Sequence, residues 1–523
     1  MPLWAYNKVK GNKMNNYETS PLLAIDAYKL GHMTMYPEGT TKVYCNLTPR
    51  NFRLSKSIFP ENTSFFDEQV VAVGMYATVK MIQDWFEVGF FKRDRTELAT
   101  EFTEYVLPFL GGNSHELLLE NVMKLYDLGH LPLEFKALPE GTLVPANVPI
   151  MTWTNTHDDF AWLPNYLETL ISTESWKLIT SATIARVYRR MFEHYAEITG
   201  VPKEVVDFQG HDFSARGLSG IADVAKTGMG HLVSFKGSDS VFSVSFINKY
   251  YKGKDSPLVA ASVPATEHSV MCMGGKETEK ETYQKLIKLY PEGIISIVSD
   301  TWDYWKMLTE TLPEIKEEIE ARQPNELGMN KLVIRPDSGD PVEVICGTDP
   351  KATVGDGEQR PAEAFGTVEI LADTFGTTKT VKGYKELSNK IGVIYGDSIT
   401  PARAEQILEG LKNKGFASSN IVLGIGSFTY QYVTRDTFGF AVKATAAVIN
   451  GKTVKIFKEP KTDLKKKSAK GFMRVDKTED GLVLVDDLDI DEGGELKVLF
   501  RDGQYPNGSP SLEEIRERVQ NGI

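Results

Sequence analysis

Seven short apolar runs punctuate the middle of the chain, at 205–212, 231–239, 257–268, 294–300, 331–337, 391–397 and 420–426, and each ends in charged or glycine-rich residues. Runs such as Ile294 to Val298 and Lys331 to Ile334 are too short for helices and rich in β-branched residues, which predicts buried strands. Between them the apolar spacing turns helical. Over 401–415, Ala404, Ile407, Leu408 and Leu411 fall on one face, with Thr400 placed to cap, Pro401 at the first helical position and Gly415 just beyond the last turn. The segment 276–290 repeats the pattern with Tyr283, Leu286, Ile287 and Tyr290, and 303–322 reads as a helix interrupted at Pro313. Alternating strands and helices predict a parallel sheet, here an α/β fold with a barrel-like β/α domain over 201–431. The ends differ. Residues 1–200 mix helix and strand signals, and in 432–523 the runs 440–449 and 452–457 are joined by Asn450-Gly451, a hairpin signal. The two ends are assigned together to a second, α+β domain. The Gly-, Thr-, Asp- and Pro-rich stretch 347–383 reads as a surface insertion in the barrel.

Length and composition narrow the function. A chain of 523 residues with 41% hydrophobic and 25% charged positions has the make-up of a multidomain globular enzyme, and it holds no apolar run long enough to span a bilayer. A net charge of -12 argues against a protein that coats nucleic acid, so any phosphate site must be local. Cys45, Cys272 and Cys346 are too few and too scattered for a disulfide framework or a metal cluster. The segment Met1 to Asn16 has scattered lysines and no apolar core, which is unlike a secretory signal, and a cytoplasmic location is expected. The cluster Lys465-Lys-Lys467 reads as a solvated basic turn, with a phosphate contact as its alternative.

In a β/α barrel, chemistry sits where strands end. Leu332-Val-Ile-Arg335-Pro-Asp337-Ser-Gly339-Asp340 opens from a strand into an arginine that can fork onto phosphate and a carboxylate that can bind sugar hydroxyls or magnesium. A structural Arg-Asp pair closing a turn explains the same residues. At a second tip Gly396 allows close approach and Asp397 suits sugar hydroxyls; at a third, Gly424-Ile-Gly426-Ser427 offers backbone N–H groups and a hydroxyl to an anion. Arg435 and Lys443 could neutralise that anion or be surface charges. Upstream, His211-Asp-Phe213-Ser-Ala-Arg216-Gly217 sets an aromatic ring and a guanidinium in one loop. Asp239, Glu267-His268 and Asp300 end three further runs. The residues alone reach a phosphosugar site and stop there.

Taken together, His211-Asp-Phe-Ser-Ala-Arg-Gly217, Lys236-Gly-Ser-Asp239, Ser262-Val-Pro-Ala-Thr-Glu-His-Ser269, Ile334-Arg-Pro-Asp-Ser-Gly339 and Phe457-Lys-Glu-Pro460 resemble the signatures of the nicotinamide phosphoribosyltransferases, type II phosphoribosyltransferases. The likeness runs from Leu22 to Gly471. It implies transfer of a phosphoribosyl group from phosphoribosyl pyrophosphate to nicotinamide, giving nicotinamide mononucleotide. It further implies that Phe213, with Tyr28 of a second subunit, sandwiches the pyridine, so that a homodimer shares its active sites. By the same resemblance Arg216, His268 and Arg335 surround the pyrophosphate, Asp337, Gly396 and Asp397 the ribose, and Gly426 and Ser427 the 5′-phosphate. Arg435 and Lys443 reach that phosphate from the second subunit, and Asp300 and Asp337 hold Mg2+. His268 matches a histidine phosphorylated by ATP, which makes ATP an auxiliary substrate. Where the family has a run of glycines, this chain has Gly424-Ile-Gly426-Ser427-Phe428, which crowds the turn.

The resemblance places Asp239 beside the pyridine substituent, where it accepts an amide N–H and repels a carboxylate. Two like charges about 4 Å apart cost about 4 kcal/mol at an effective dielectric near 20, roughly a thousandfold in preference. Asp239 as a plain surface-turn acid would remove that discrimination. Two readings compete: a nicotinate phosphoribosyltransferase of the same fold, and a non-catalytic binding or signalling protein that keeps it.

Overall fold

The apolar runs meet as a ring of parallel backbone segments in the computed structural model, which describes residues 19–59, 65–110, 115–458 and 469–522. Met1 to Asn16, the cluster Lys465-Lys-Lys467 and the end of the Phe457 to Pro460 motif lie outside the described residues, wholly or in part. The chain divides into two units, one of residues 1–51, 72–176 and 438–510, the other of residues 52–71, 177–437 and 511–523.

In the second unit, six strands hydrogen-bond in the order Gly237–Ser238, Gly210–Asp212, Val422–Ile425, Ile391–Tyr395, Leu332–Arg335, Ile295–Val298. All neighbouring pairs are parallel. The run 257–268 forms no strand of its own, yet it bridges Gly237 through Ala261 and Ser296 through Ala265, both parallel. Ser238 N donates to Ala261 O at 3.1 Å and Ser296 N to Pro264 O at 2.9 Å. That segment joins the two open edges of the sheet, so all seven runs contribute to one closed ring. Ile295, Ile297, Leu332, Ile334, Ile391, Leu423 and Ile425 fill the strands with buried side chains, as continuous apolar runs require when both faces are covered.

The helices follow their sequence signals. In Pro401–Asn413 the Thr400 hydroxyl accepts from Arg403 N at 3.2 Å, Ala404, Ile407, Leu408 and Leu411 are buried, and Gly415 takes φ +77°. Glu279–Leu289 buries Tyr283, Leu286 and Ile287. The predicted helix over 303–322 breaks into Tyr304–Lys306, a wide turn over Met307–Thr311, Leu312–Glu314 and Lys316–Glu320, because Pro313 supplies no N–H to its ladder. The stretch 347–383, read as an insertion, holds the helix Thr367–Phe375, which buries Val368, Leu371 and Phe375; nine residues are too few for a visible period.

The unit boundaries at 176/177 and 437/438 differ from the sequence divisions after 200 and 431. The first falls inside the continuous helix Glu168–Thr199, where composition gives no linker signal. The C-terminal helix Leu512–Gln520, started by a capping box of Ser511 and Glu514, groups with the barrel unit. Its buried Arg516 donates to the carbonyls of Leu232, Leu258 and Val259, at 2.9, 2.8 and 2.6 Å.

The first unit is built on a six-stranded antiparallel sheet in the order Lys452–Lys455, Phe440–Ile449, Thr40–Pro49, Met151–Asn155, Leu133–Ala137, Lys497–Arg501. Asn450 and Gly451 turn its hairpin with φ of +51° and +74°, the two positive values that a two-residue turn of this type demands. No described helix is long and apolar enough to cross a membrane.

His231 gives the barrel unit a titration signature. Its ring is fully buried beside Phe235, with Nδ1 2.8 Å from the Tyr430 hydroxyl and Nε2 3.1 Å from Gly237 O. Burial lowers its pKa from 6.5 to about 4. Below pH 6.5 the unfolded chain takes up a proton that the native state refuses, so stability drops by up to about 1.4 kcal/mol per pH unit across that window. Urea unfolding between pH 7 and 4.5 should show this loss, and His231→Gln should flatten it.

Candidate active site

Strand ends of the barrel unit converge on one mouth. The strand Gly210–Asp212 runs into Phe213, whose N–H donates to Ile425 O at 3.1 Å, fixing the ring across the neighbouring strand end. Two glycines make its seat: a Cβ at Gly424 would lie 2.3 Å from Phe213 Cδ2, and one at Gly396 2.8 Å from the same atom. Neither distance is tolerable, so these glycines exist to let the ring lie flat. If Phe213 stacks a pyridine, as the resemblance implies, Gly424→Ala should displace the ring and raise KM for that substrate more than tenfold in steady-state kinetics; an unchanged KM would contradict that role.

Below Phe213, buried Asp212 ties the loop down, accepting from Ser214 N at 2.9 Å, Ser214 Oγ at 2.6 Å and Ser238 Oγ at 3.2 Å. Beside it, the His211 and Phe213 rings sit 4.8 Å apart, and His211 Nε2 lies 3.0 Å from Asp239 Oδ1. Ser262 Oγ donates to the same oxygen. Burial acts to raise the Asp239 pKa, but the bonds from His211 and Ser262, helped by the charge of Arg335, hold it below the ordinary carboxylate range. Asp239 is an anchored anion, not a loose turn residue.

A second group forms around Asp300. Its Oδ2 accepts from Asp337 N at 2.9 Å and Ser338 Oγ at 2.6 Å, and its Oδ1 lies 3.2 Å from His268 Nε2. The sequence pairs His268 with Glu267; the structure pairs it with Asp300, while Glu267 accepts from Ser269. Neighbouring residues on an extended segment point apart, and His268 starts a helix that turns it toward the next strand end. Burial raises the Asp337 carboxyl above its ordinary range; Arg335 and His268 oppose the shift, and Asp300 and Asp397 reinforce it. Arg335 Nε is buried with no hydrogen-bond partner.

The third group is the crowded turn. Gly217 packs so close to Ser427 that a Cβ would fall 2.0 Å from Ser427 Oγ. Gly426 caps the short turn Ser427–Tyr430, and Ser398, beside Asp397, holds φ +46° while donating to Asp397 Oδ2 at 2.8 Å. A cavity of about 500 Å³ opens here, lined by Gly217, Asp397, Ser398, Ser427 and the aromatic rings of Phe428 and Tyr432. Arg216 is exposed on the adjoining turn Ala215–Gly217.

The barrel mouth thus gathers Phe213, Arg216, Asp239, His268, Asp300, Arg335, Asp337, Gly396, Asp397, Gly426 and Ser427. Arg435, in the same unit, is exposed and paired with its neighbour Asp436 at 3.2 Å. Tyr28, 60% exposed, and Lys443, whose pKa burial lowers, belong to the other unit. Among the described residues no three His, Cys, Asp or Glu side chains are arranged to hold a metal by themselves. Sequence reading assigned no role to His211, Ser262 or Ser338; the i, i+2 spacing of His211 and Phe213 on a strand was the available signal for the first.

Residues 208–489 match the model of the nicotinate phosphoribosyltransferase (NAPRTase) family. The chain is 48% identical over 510 residues to a nicotinamide phosphoribosyltransferase of Acinetobacter baylyi, covering 96% of this chain and 98% of that protein. It is 35% identical over 466 residues to a nicotinamide phosphoribosyltransferase of Mycoplasma pneumoniae, covering 87% and 96%. Among solved structures, a nicotinate-nucleotide pyrophosphorylase from Pyrococcus furiosus shares the fold, with a TM-score of 0.54 at 15% identity, covering 98% of this chain and 97% of that one.

Proposed function

The chain belongs to the nicotinate phosphoribosyltransferase family, and from that premise we propose that it is a nicotinamide phosphoribosyltransferase, a pentosyltransferase of NAD biosynthesis. It joins nicotinamide to phosphoribosyl pyrophosphate, giving nicotinamide mononucleotide and pyrophosphate. The observation that carries this reading is the anchored Asp239 carboxylate, joined through His211 to Phe213 on its glycine seat: an aromatic platform with an acceptor for an amide N–H.

The pyridine nitrogen attacks the anomeric carbon as the bond to pyrophosphate breaks, and the leaving group departs with the electron pair. No proton moves in that step, so the site needs no base; it needs alignment and charge compensation. Phe213 stacks the ring and Asp239 sets its in-plane rotation. Arg335, Arg216 and His268 receive the pyrophosphate. Asp337, Asp397 and the backbone at Gly396 bind ribose hydroxyls, and Gly426 and Ser427 bind the 5′-phosphate at the cavity.

Magnesium fits this donor set. Mg2+ is commonly held by one or two carboxylates plus phosphate and water, and the charges of Asp300 and Asp397, which help burial raise the Asp337 carboxyl, are what a divalent cation would offset. Asp337 and Asp300 would hold it, and when bound it would offset charge on the leaving pyrophosphate. Tyr28, Arg435 and Lys443 would come from a second copy in a homodimer. The free thiols Cys45, Cys272 and Cys346 suit the cytoplasm.

Incubation with phosphoribosyl pyrophosphate, nicotinamide and Mg2+ should yield mononucleotide and pyrophosphate in equal amounts; binding without product would support the non-catalytic reading instead. ATP is the auxiliary substrate, acting at His268 beside Asp300. His268→Ala should abolish ATP hydrolysis, and undiminished hydrolysis would remove that assignment.

A further inference from the structure

The Asp239 carboxylate is held from one side only. Its Oδ1 takes both anchors, His211 Nε2 at 3.0 Å and the Ser262 hydroxyl, while no described residue bonds Oδ2. A carboxylate with one oxygen fixed twice and the other open has a defined direction. His211 is itself constrained. It lies beside Phe213 at 4.8 Å, its side chain is 12% exposed, and it pairs in parallel register with Gly237. A Cβ at Gly237 would fall 2.8 Å from His211 Nδ1, so the missing side chain at 237 is what lets the imidazole lie over that strand.

We infer that His211 is a positioning residue for substrate choice: it turns the Asp239 carboxylate so that Oδ2 faces the pyridine substituent, locking the acceptor to the stacking ring. This rests on the proposed role of Asp239. The geometry assigns the imidazole an Nε2–H, because an ionised carboxylate can only accept. One residue, His211, then touches both parts of the pyridine site: the Phe213 platform at its face and the Asp239 acceptor at its edge. Without it, Asp239 keeps only the Ser262 anchor, and its half-exposed side chain is free to swing toward solvent.

Steady-state kinetics with nicotinamide and nicotinate on His211→Phe, His211→Gln, His211→Asn and Asp239→Asn tests this. Phe keeps the ring and loses the donor; Gln places an amide N–H near the position of Nε2. In His211→Phe the nicotinamide KM should rise about ten- to hundredfold, the effect of one lost hydrogen bond to a charged group. Its kcat should change by only a few-fold, and the ratio of kcat/KM for nicotinamide over nicotinate should fall by about the same ten- to hundredfold. His211→Gln should recover most of that ratio. If His211→Phe fails to fold, His211→Asn against His211→Gln carries the test: the Asn amide lies near the position of Nδ1 and cannot reach Asp239, so loss of the ratio in Asn with its retention in Gln supports the inference, and any other pattern overturns it. If the ratio collapses in Asp239→Asn but is unchanged in His211→Phe, or if both substrates lose kcat equally, His211 is merely structural and the inference fails alone. If the ratio is unchanged in Asp239→Asn as well, the Asp239 reading fails with it.

Discussion

Asp239→Asn is expected to lower the preference for nicotinamide over nicotinate by up to roughly a thousandfold, the value of one like-charge contact at about 4 Å in a partly desolvated site. The asparagine keeps the shape and still offers an oxygen to His211 and Ser262, so the loop should survive, while an NH2 replaces Oδ2 and removes the charge and the acceptor together. A thousandfold is the ceiling, since the Asp239 side chain is 48% exposed before the pyridine covers it, and residual water screens the repulsion. Because its pKa is held below the ordinary carboxylate range, Asp239 stays ionised in mild acid. The wild-type preference should therefore be flat from about pH 8 down to about pH 5, where an unperturbed carboxylate near 3.9 would already begin to take up protons. Paired kcat/KM measurements across that range check both statements. A preference that fades with falling pH, or survives Asp239→Asn, would remove Asp239 from substrate choice.

The second large effect is expected at Arg335. It ends the strand Leu332–Arg335 at the barrel mouth, where its charge acts on the Asp337 carboxyl. Arg335→Ala should reduce kcat/KM for phosphoribosyl pyrophosphate by about 10²–10³, in line with removal of one donor from a developing anion. Arg335→Lys should restore little of this, although it restores the charge, because an ammonium on a flexible stem has neither the planar fork nor a donor at the Nε position. Arg335 also moderates Asp337, so its loss should push that carboxyl further up. Near-full activity in the lysine variant would mean that Arg335 acts as a diffuse charge and not as a shaped donor.

Much of this architecture was legible in the sequence, and the reason is local. Strand runs such as 294–300 and 331–337 are apolar throughout because both faces are buried, and their polar ends mark the mouth. The helix Pro401–Asn413 carries cap, proline and terminal glycine in order, and Asn450-Gly451 dictates its own turn. The seven runs point to a barrel-like domain; what they do not show is that 257–268 joins it through isolated bridges at Ala261 and Ala265 and not as a regular strand, because its place between Gly237 and Ser296 depends on long-range pairing. The unit boundary inside Glu168–Thr199 was hidden because a continuous helix gives no break in composition.

The candidate site divides in the same way. Arg335, Asp337, Asp397 and Phe213 stand at strand ends where a reader of sequence looks for them. The sequence sets His268 beside Glu267, whereas its hydrogen-bond partner Asp300 lies 32 residues away and only the barrel brings it within 3.2 Å. His211 drew no role because a histidine before an aspartate says nothing of Asp239, which is 28 residues downstream. Glycine function was the least visible: Gly424 and Gly237 look like ordinary turn residues, and only the rings packed on them explain why no side chain can stand there.

The most direct test of the central claim is a competition assay with equal nicotinamide and nicotinate, limiting phosphoribosyl pyrophosphate and Mg2+, in which both mononucleotides are quantified. Nearly all of the product should be nicotinamide mononucleotide. A product dominated by nicotinic acid mononucleotide, or no product from either base, would contradict the account.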